Sequence, residues 1–568
     1  MPTTLDQLKS HFAHAVRGLF PDLYDADVPV VPTTNPAFGD YQCNAPMALA
    51  KRLKQKPRDV ATALMSAIGD LGGMAEKVEI AGPGFINVTL ADRWVEGELA
   101  AAGAHTRLGI GRADHPRTTV LDYPSPNIAK EMHIGHLRPC NIGDAIARTL
   151  DFAGDNLIRQ NHVGDWGTAF GMLLAYLEAT DGRSDAALAD IEQLYKAAKK
   201  RFDDDPAFKD AARIAVVRLQ AGEAVATEHW QTIIGISRAH MREMFARLNL
   251  TVRDADERGE SFYNPRLSSV VADLLAKGVA EPSEGATAVW VKPFETPMIV
   301  RKSDGGYGYA TTDLAALWFR TNELKAERII VVTDARQRQH FQMFLDAGRR
   351  AGYLGEQQFD HVMFGAILGG DNKPIKTKSG ESVKLTDVLD EAVRRAEAVV
   401  VSKNPDLPEA DRQAIAKAVG IGAVKYFDLN KDRTTDYVFD WDTMLSLDGN
   451  TAVYLLYAYA RIRSILRKSD GAAATGTIVL TAAEEKVLGR HLLKLGEVVT
   501  DVARDLKPHL LCQYLYELAT KFSGFYEACP VLKSDEPMRS SRLALCDLTA
   551  RTLALGLDLL GIAHPEQM

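Results

Sequence analysis

The sequence predicts an α/β protein with a doubly wound parallel-sheet core, a helical insertion, a small N-terminal α/β domain and an all-helical C-terminal domain. Strand-like and helix-like segments alternate from about residue 113 and again from about residue 327. Long helical patterns interrupt this alternation, and the end of the chain reads almost entirely as helix. We therefore expect an N-terminal domain over 1–112, the sheet domain over 113–390 with its insertion at about 183–290, a helical connector over 391–450 and a helical domain over 451–568.

The composition is that of an ordinary globular protein. Of the 568 residues, 46% are hydrophobic and 25% are charged, and the net charge is −8. This negative balance argues against a protein that holds nucleic acid by its overall charge, although local basic patches stay possible. No apolar run approaches the length of a membrane span and no signal-peptide pattern opens the chain, so we expect a cytoplasmic protein without a membrane partner. Five scattered cysteines predict neither a disulfide framework nor a zinc site.

The N-terminal domain reads as a mixture of helices and short strands. "LDQLKSHFAHAVRGLF" has apolar residues at helical spacing, and "NPAFGDYQCNAPMALAKRL" reads as a turn followed by a helix. "KVEIAGPGFINVTL" reads as two strands around Gly82, Pro83 and Gly84. The pattern indicates a small independent domain.

The sheet domain begins with a strand–helix–strand unit. "TTVLDYP" and "NLIRQNHV" are typical of strands, and "GHLRPCNIGDAIARTLDFAG" between them is typical of a helix. After the insertion, "ERIIVVTD" and "FDHVMFGAIL" predict two further strands separated by a helix. Strands and helices at this spacing form a parallel sheet, and such sheets bind nucleotides at the carboxyl ends of their strands.

The stretch "SPNIAKEMHIGHLRP" (Ser125–Pro139) lies where the first strand of this sheet gives way to a helix. A helix N-terminus favours phosphate, and His133 and His136 lie three residues apart in its first turn. Gly135 between them allows a ligand to approach the backbone, and Lys130 adds a fixed positive charge. This combination suits electrostatic stabilisation of a phosphoryl-transfer transition state.

Several long motifs resemble those of the arginyl-tRNA synthetases, a family of class I aminoacyl-tRNA synthetases. They cover nearly the whole chain in the family's order: "GDYQCNAPMALAK", "SPNIAKEMHIGHLRP", "NHVGDWGTAFG", "GESFYN", "TDARQRQHF" and "DGNTAVYLLYAYARI". The resemblance implies ATP-dependent activation of L-arginine, with Mg²⁺ as counter-ion, and transfer of the arginyl group to the 3′ end of its tRNA. It also implies release of AMP and pyrophosphate, an anticodon-binding C-terminal domain, a tRNA-elbow-binding N-terminal domain, and no resident metal. We expect a monomer.

The resemblance also assigns the ATP site. His133, His136, Lys130 and Lys376 are expected to be catalytic, and the residues expected to bind ATP are His133, Gly135, His136, Lys376 and Lys378. In "PIKTKSG", Lys376 matches the first lysine of the class motif K-M-S-K, but Ser379 stands at the position of the second lysine. One cation for the departing phosphates is therefore missing from this loop.

An arginine substrate requires carboxylates to bind its guanidinium. Tyr309 and Asp313 are four residues apart, so on a helix they share one face. The family resemblance implies a larger set of arginine-binding residues: Asp122, Asn127, Tyr309, Asp313 and Gln337. Asp122 stands where the family commonly has glutamate.

Aromatic and basic side chains indicate where RNA binds, since bases stack on aromatic rings and cations contact phosphates. The expected tRNA-binding residues are Phe38 and Tyr41 in the N-terminal domain and Tyr457 and Arg461 in the C-terminal domain. Tyrosines at helical spacing are equally typical of a helical core, so this alternative stays open.

Two other functions are compatible with parts of the pattern. A small-molecule nucleotidylyltransferase can carry the histidine motif, but it does not need the long C-terminal helices. A non-catalytic tRNA-binding paralogue would lose catalytic residues, whereas His133, His136 and Asp313 are all present. Pyrophosphate exchange with and without tRNA separates these alternatives.

Lys130 is predicted to supply the charge that is missing at Ser379. Lys130→Ala should lower kcat for adenylate formation by on the order of 10²–10³, with little change in the arginine KM, because one preorganised transition-state donor is lost. Ser379→Lys in the same protein should restore part of the rate. A Lys130→Ala protein within about threefold of wild type in arginine-dependent pyrophosphate exchange would contradict this role.

Overall fold

Three folded units follow one another in the computed structural model, in the order that the sequence predicts. The structure describes residues 2–23, 25–129, 131–180, 191–375, 382–469 and 477–568. Lys130, Lys376 and Lys378, the lysines expected at the phosphate site, lie outside the described residues.

An antiparallel sheet packed against helices forms the N-terminal unit. Its elements are α1 (Thr4–Leu19), β1 (Val30–Pro32), β2 (Tyr41–Cys43), α2 (Ala45–Leu53), α3 (Pro57–Ile68), β3 (Ala75–Ala81), β4 (Phe85–Leu90) and α4 (Asp92–Ala104). The strand order is β1-β2-β4-β3. Thr3 caps α1 by accepting a hydrogen bond from the backbone N–H of Asp6, and Leu8 and Phe12 on the inner face of α1 are fully buried. The expected α/β domain is confirmed.

A parallel sheet flanked by helices forms the middle unit. Its elements are β5 (Thr118–Asp122), α5 (Leu137–Ala153), β6 (Asn156–Gln160), α6 (Thr168–Ala179), α7 (Ile191–Asp204), α8 (Pro206–Gln220), α9 (Ala224–Arg247), α10 (Asn264–Ala276), β7 (Glu281–Ser283), β8 (Ala286–Val289), β9 (Met298–Arg301), α11 (Tyr309–Asn322), β10 (Arg328–Asp334), α12 (Arg338–Arg350) and β11 (Gln358–Phe364). The sheet has the order β11-β10-β5-β6, and all of its pairs are parallel. Asp122 and Asp334, the last residues of the parallel central strands β5 and β10, therefore lie at the same edge of the sheet, where the strands have their carboxyl ends.

The sequence predicts a helical insertion, but the insertion is only partly helical. Helices α7 to α10 form its first part, but β7, β8 and β9 form a separate antiparallel sheet that begins within the range expected to be helical. These strands have only three or four residues each. Segments of this length are too short to show a clear alternation of apolar and polar residues.

Helices dominate the C-terminal unit. Its elements are β12 (Ile367–Leu368), α13 (Leu385–Lys403), α14 (Glu409–Leu429), β13 (Tyr437–Val438), α15 (Trp441–Met444), α16 (Ala452–Arg467), α17 (Ala483–Leu492), α18 (Leu495–Asp505), α19 (His509–Ala528) and α20 (Met538–Leu559). The expected helical domain is confirmed. The boundary expected after residue 390 falls inside α13.

A buried carboxylate on α5 connects the sheet to the insertion. Oδ1 of Asp144 accepts hydrogen bonds from the Tyr123 hydroxyl at 3.1 Å and from the Thr251 backbone N–H at 2.7 Å. Oδ2 accepts from Nε of Arg148 at 2.7 Å. Burial would raise the pKa of Asp144, but Lys425 and Arg148 hold that pKa below its usual range.

The same cluster reaches the end of the chain. Arg148 donates to the backbone carbonyl of Asn249 at 2.6 Å and to that of Asp558, in α20, at 3.2 Å. Lys425, fully buried in α14, donates from Nζ to the carbonyl of Leu248, and burial lowers the pKa of Lys425 to about 8. Helices α5, α14 and α20 and the end of α9 therefore meet around one ionic cluster.

The N-terminal unit packs against the C-terminal helices through Glu497. Oε1 of this buried carboxyl accepts from the Tyr41 hydroxyl at 2.6 Å and from the backbone N–H of Leu5 at 3.1 Å. Arg490 forms ion pairs with Asp40 and Asp92 beside it. Burial raises the pKa of the Glu497 carboxyl to about 7, an effect that the two hydrogen bonds offset only in part.

Glu497→Gln is expected to gain stability relative to wild type as the pH rises from about 5 to about 8. A carboxyl whose pKa is raised in the folded state stabilises the fold fully below its unfolded pKa, and this contribution is lost as the pH rises through the folded value of about 7. A carboxamide does not titrate. Thermal unfolding midpoints of both proteins across this range measure the effect, with Glu356→Gln at an exposed position as control. A pH-independent difference between Glu497→Gln and wild type would contradict the prediction.

Candidate active site

The histidine turn lies between β5 and α5, as the sequence predicts. Residues Ile134–His136 form a single 3₁₀ turn that leads directly into α5, and the rings of His133 and His136 lie 4.1 Å apart. A Cβ atom at Gly135 would lie 2.8 Å from Cε1 of His133. Only glycine therefore allows the His133 ring to fold back over the turn.

Backbone hydrogen bonds determine which nitrogen of each imidazole carries the proton. Nδ1 of His133 accepts from the backbone N–H of Gly135 at 3.1 Å, and Nδ1 of His136 accepts from the backbone N–H of His133 at 3.1 Å. A neutral ring that accepts at Nδ1 carries its proton on Nε2. We therefore assign an Nε2–H donor to both rings, at the N-terminus of a helix, where an anion is also favoured by the helix dipole.

The segment that follows the expected lysine loop is paired with the histidine turn. The backbone N–H of Ile134 donates to the carbonyl of Val383 at 2.9 Å, and that of Leu385 donates to Met132 at 3.0 Å. Nζ of Lys384 lies 2.9 Å from Oε2 of Glu131. The start of α13 is thus held beside the two histidines.

Tyr309 and Asp313 lie on the first turns of α11, and α12 contributes a third side chain. Oδ2 of Asp313 lies 2.6 Å from Nε2 of His340, and the rings of Tyr309 and His340 are in edge-to-face contact with centroids 4.8 Å apart. Tyr309 is 65% exposed, so its ring is accessible to a ligand. Gln337 is exposed at the N-terminus of α12. His340 was not singled out from the sequence, where it is one polar residue among several in "RQRQHF".

Asp122 is buried at the end of β5, and both of its oxygens are already engaged. Oδ2 accepts from Nη2 of Arg320, and Oδ1 accepts from the Ser125 hydroxyl at 2.5 Å. Burial would raise the pKa of Asp122, but Arg320, His162 and Ser125 hold it below its usual range. The structure therefore does not support direct contact between Asp122 and a substrate, because an internal guanidinium takes that place. Arg320 was missed, although it lies seven residues after Asp313.

Asn127 is exposed beside the site, on the loop that follows β5. Its Oδ1 accepts from the backbone N–H of Ala129 at 3.1 Å. The loop is held in place by the loop after β6, since the backbone N–H of Gly164 donates to the carbonyl of Pro126 at 3.0 Å. Asn127 and Gln337 thus stand at the carboxyl ends of adjacent strands, β5 and β10.

A cavity of about 660 Å³ opens next to Tyr309 and His340. Trp166 and Tyr307 supply aromatic walls, and Glu260 lines it on another side. Burial, together with the nearby carboxylates Asp165 and Asp313, raises the pKa of Glu260 to about 8. Space for a planar group therefore exists directly beside the Tyr309 ring.

The residues expected to bind RNA differ in their exposure. Phe38 is 46% exposed, but Tyr41 is 2% exposed and bonded to Glu497, so it is not available for base stacking. Tyr457 is exposed, and the Arg461 guanidinium lies 4.7 Å from the centre of its ring. Tyr526, which the sequence analysis missed, is exposed on α19 with its ring 5.9 Å from the same guanidinium.

The described residues contain neither a candidate metal-binding group nor a candidate membrane span. No group of three or more histidine, cysteine, aspartate or glutamate residues in this part of the chain could hold a metal ion. No helix in the described ranges is long and apolar enough to cross a membrane. All five cysteines are buried and free.

Three family models match the chain and together cover most of it. They are described as the N-terminal domain of arginyl tRNA synthetase (residues 6–90), the catalytic domain of class I (R) tRNA synthetases (residues 98–441) and the DALR anticodon binding domain (residues 455–568).

Curated proteins and solved structures show the same likeness. The arginine–tRNA ligase of Cellvibrio japonicus is 50% identical over 559 residues, and that of Edwardsiella ictaluri is 49% identical over 552 residues, with coverage of 96% and 95% of each chain. The arginyl-tRNA synthetase structures from Plasmodium falciparum and Thermus thermophilus superpose with TM-scores of 0.87 and 0.83 at 30% and 27% identity. Both cover 100% of the two chains compared.

Proposed function

Because the chain belongs to the arginyl-tRNA synthetase family, we propose that its histidine turn binds ATP while Tyr309 and Asp313 bind the guanidinium of L-arginine. The chain is an arginine–tRNA ligase. This function replaces the two alternatives with which parts of the sequence are compatible, a small-molecule nucleotidylyltransferase and a non-catalytic tRNA-binding paralogue. The observation that supports the site assignment is that Nδ1 of both His133 and His136 accepts from a backbone N–H at the start of α5, which assigns the proton of each ring to Nε2.

Adenylate formation needs positioning and charge stabilisation rather than a protein nucleophile. A carboxylate oxygen of arginine attacks the α-phosphorus of ATP, and the bond to the β-phosphate bridging oxygen breaks to release pyrophosphate. His133 and His136 donate to the phosphates from Nε2, and Gly135 lets the nucleotide approach the backbone. Lys130, Lys376 and Lys378 are proposed to add positive charge there. Mg²⁺ is proposed to arrive on the ATP phosphates, since such sites bind it largely through the substrate.

The two ends of the arginine substrate are proposed to bind to different groups of residues. The Asp313 carboxylate pairs with the guanidinium, and the Tyr309 ring covers its face. The exposed amides of Asn127 and Gln337 can donate to the substrate carboxylate and accept from its ammonium group. Asp122 is proposed to act behind them, by holding Arg320 beneath the site.

Transfer to tRNA is proposed to use the cavity beside Tyr309. The terminal adenosine must bring a ribose hydroxyl to the arginyl carbonyl, and Trp166, Tyr307 and Tyr309 offer surfaces on which an adenine can stack. Attack of that hydroxyl forms the ester and releases AMP.

Two more distant surfaces are proposed to hold the rest of the tRNA. Tyr457, Arg461 and Tyr526 form an exposed group of two aromatic rings and one cation, suited to anticodon bases. Phe38 is proposed to contact the elbow of the tRNA. We further propose that the enzyme acts as a monomer in the cytoplasm.

Asp313→Asn should raise the arginine KM by about 10-fold or more and leave the ATP KM nearly unchanged, because the guanidinium loses its charged partner. Steady-state pyrophosphate exchange with each substrate varied in turn measures both constants. Asp346→Asn is a matched control, since Asp346 forms an exposed ion pair with Arg350 on the neighbouring helix α12. Equal increases in the two KM values would argue against the guanidinium assignment.

Arg461→Ala should reduce the salt dependence of tRNA binding by about one counter-ion, because one phosphate contact is lost. Binding constants measured between about 50 and 200 mM salt supply the slope. Arg504→Ala removes the same charge from an exposed residue that is paired with Asp501 and Asp505, and it should leave the slope unchanged. If both variants keep the wild-type slope, Arg461 makes no phosphate contact.

A further inference from the structure

His340 contacts both residues of the proposed guanidinium site. Its Nε2 atom lies 2.6 Å from Oδ2 of Asp313, and its ring is in edge-to-face contact with the ring of Tyr309. The ring also lies nearly parallel to that of Phe344, at an angle of 22°. Its side chain is 13% exposed, so packing against these rings restricts its orientation. One histidine therefore sets the position of two side chains on a different helix.

The chemistry of this hydrogen bond requires the proton to be on His340. An ionised carboxylate only accepts, so Nε2 of the imidazole must donate. The bond uses Oδ2 and leaves Oδ1 with its lone pairs for another donor. An imidazole can hold Asp313 through this hydrogen bond without bringing a permanent charge, whereas a lysine or arginine at this position would always bring a cation.

Asp122, the second carboxylate near the site, differs from Asp313 in the kind of partner that it contacts. Asp122 is paired with the Arg320 guanidinium, so its charge is already matched inside the protein. Among the described residues, the ion pairs of Asp313 include no lysine or arginine. Arg320 also attracts Asp313 electrostatically, but the direct hydrogen-bond partner of Asp313 is an imidazole.

We propose that His340 is a positioning residue for arginine recognition: it orients Asp313 and Tyr309 for the guanidinium without placing a permanent cation beside the carboxylate. This inference rests on the proposed function, in which Asp313 binds the guanidinium. His340 itself need not touch the substrate.

Three substitutions of His340 distinguish the effect of its N–H donor from the effect of its aromatic ring and of an added charge. His340→Phe keeps an aromatic ring and removes the N–H, His340→Gln keeps an N–H donor near the position of Nε2, and His340→Arg places a permanent cation beside Asp313. The arginine KM should rise about 10- to 100-fold in His340→Phe, as expected for loss of a hydrogen bond to a charged group, and at least as much in His340→Arg. It should stay within about threefold of wild type in His340→Gln. In all three variants the ATP KM should stay close to the wild-type value.

The preference for arginine over citrulline provides a readout that general loosening of the fold would not move. Citrulline is neutral and nearly isosteric with arginine, so only the placement of the Asp313 charge distinguishes them. His340→Phe and His340→Arg should lose part of this preference, and His340→Gln should retain it. A His340→Gln protein no better than His340→Phe would overturn the proposal, as would a His340→Phe protein with an arginine KM within about twofold of wild type.

The Asp313→Asn single variant and the double variant with His340→Phe distinguish failure of this inference from failure of the proposed function. If Asp313→Asn leaves the arginine KM unchanged, the guanidinium site itself is misassigned. If Asp313→Asn raises the KM and adding His340→Phe then raises it much less than it does in the wild-type background, His340 acts mainly through Asp313, as proposed. Additive increases in KM would overturn the positioning role. Thermal unfolding verifies that each variant is folded, and His340→Leu replaces His340→Phe in the comparison if the latter does not fold.

Discussion

The buried charge of Asp144 constrains how the parts of this enzyme fit together. A carboxylate removed from water is tolerated only when it is paired and fully hydrogen-bonded. Asp144 meets this requirement with Tyr123 directly after β5, Arg148 on α5 and Thr251 within the insertion, while Arg148 and Lys425 continue the cluster to α20 and α14. A shift of any of these segments would leave a charge buried without a partner. The catalytic sheet and the C-terminal helices are therefore positioned by the same interaction.

Helix α5 is the element that links this cluster to the proposed ATP site. Its N-terminus carries the histidine turn, and its inner face carries Asp144. Arg138 on its first turn forms a buried ion pair with Asp428 of α14 at 3.0 Å. Gly143 permits contact with the Tyr123 ring, because a Cβ at that position would lie 2.4 Å from the ring carbon Cγ. The two imidazoles thus stand at the end of a helix whose position is determined from both of its sides.

Charge is distributed unequally across the site, in the way that the proposed binding of the two substrates requires. The histidine turn presents imidazole N–H donors on the side proposed for phosphates. On the other side, Asp122 is paired with the Arg320 guanidinium, while Asp313 is hydrogen-bonded to His340. Away from the site, the exposed Tyr457–Arg461–Tyr526 group places one cation between two aromatic rings in a chain with a net charge of −8. RNA binding by such a chain depends on where cations lie, and not on their total number.

The sequence by itself determined the features that depend on residues close together in the chain. The histidine turn, the shared face of Tyr309 and Asp313, the parallel sheet and the helical C-terminal domain all follow from local spacing and periodicity. Tertiary structure decided which partners these residues meet. Asp122 is engaged by Arg320, which is 198 residues away, Tyr41 is buried by Glu497, which is 456 residues away, and the short strands β7 to β9 pair only once folded. His340 likewise reaches Asp313 only because α12 packs against α11. Periodicity reveals which face of an element is buried, but contacts between distant elements depend on how those faces pack together.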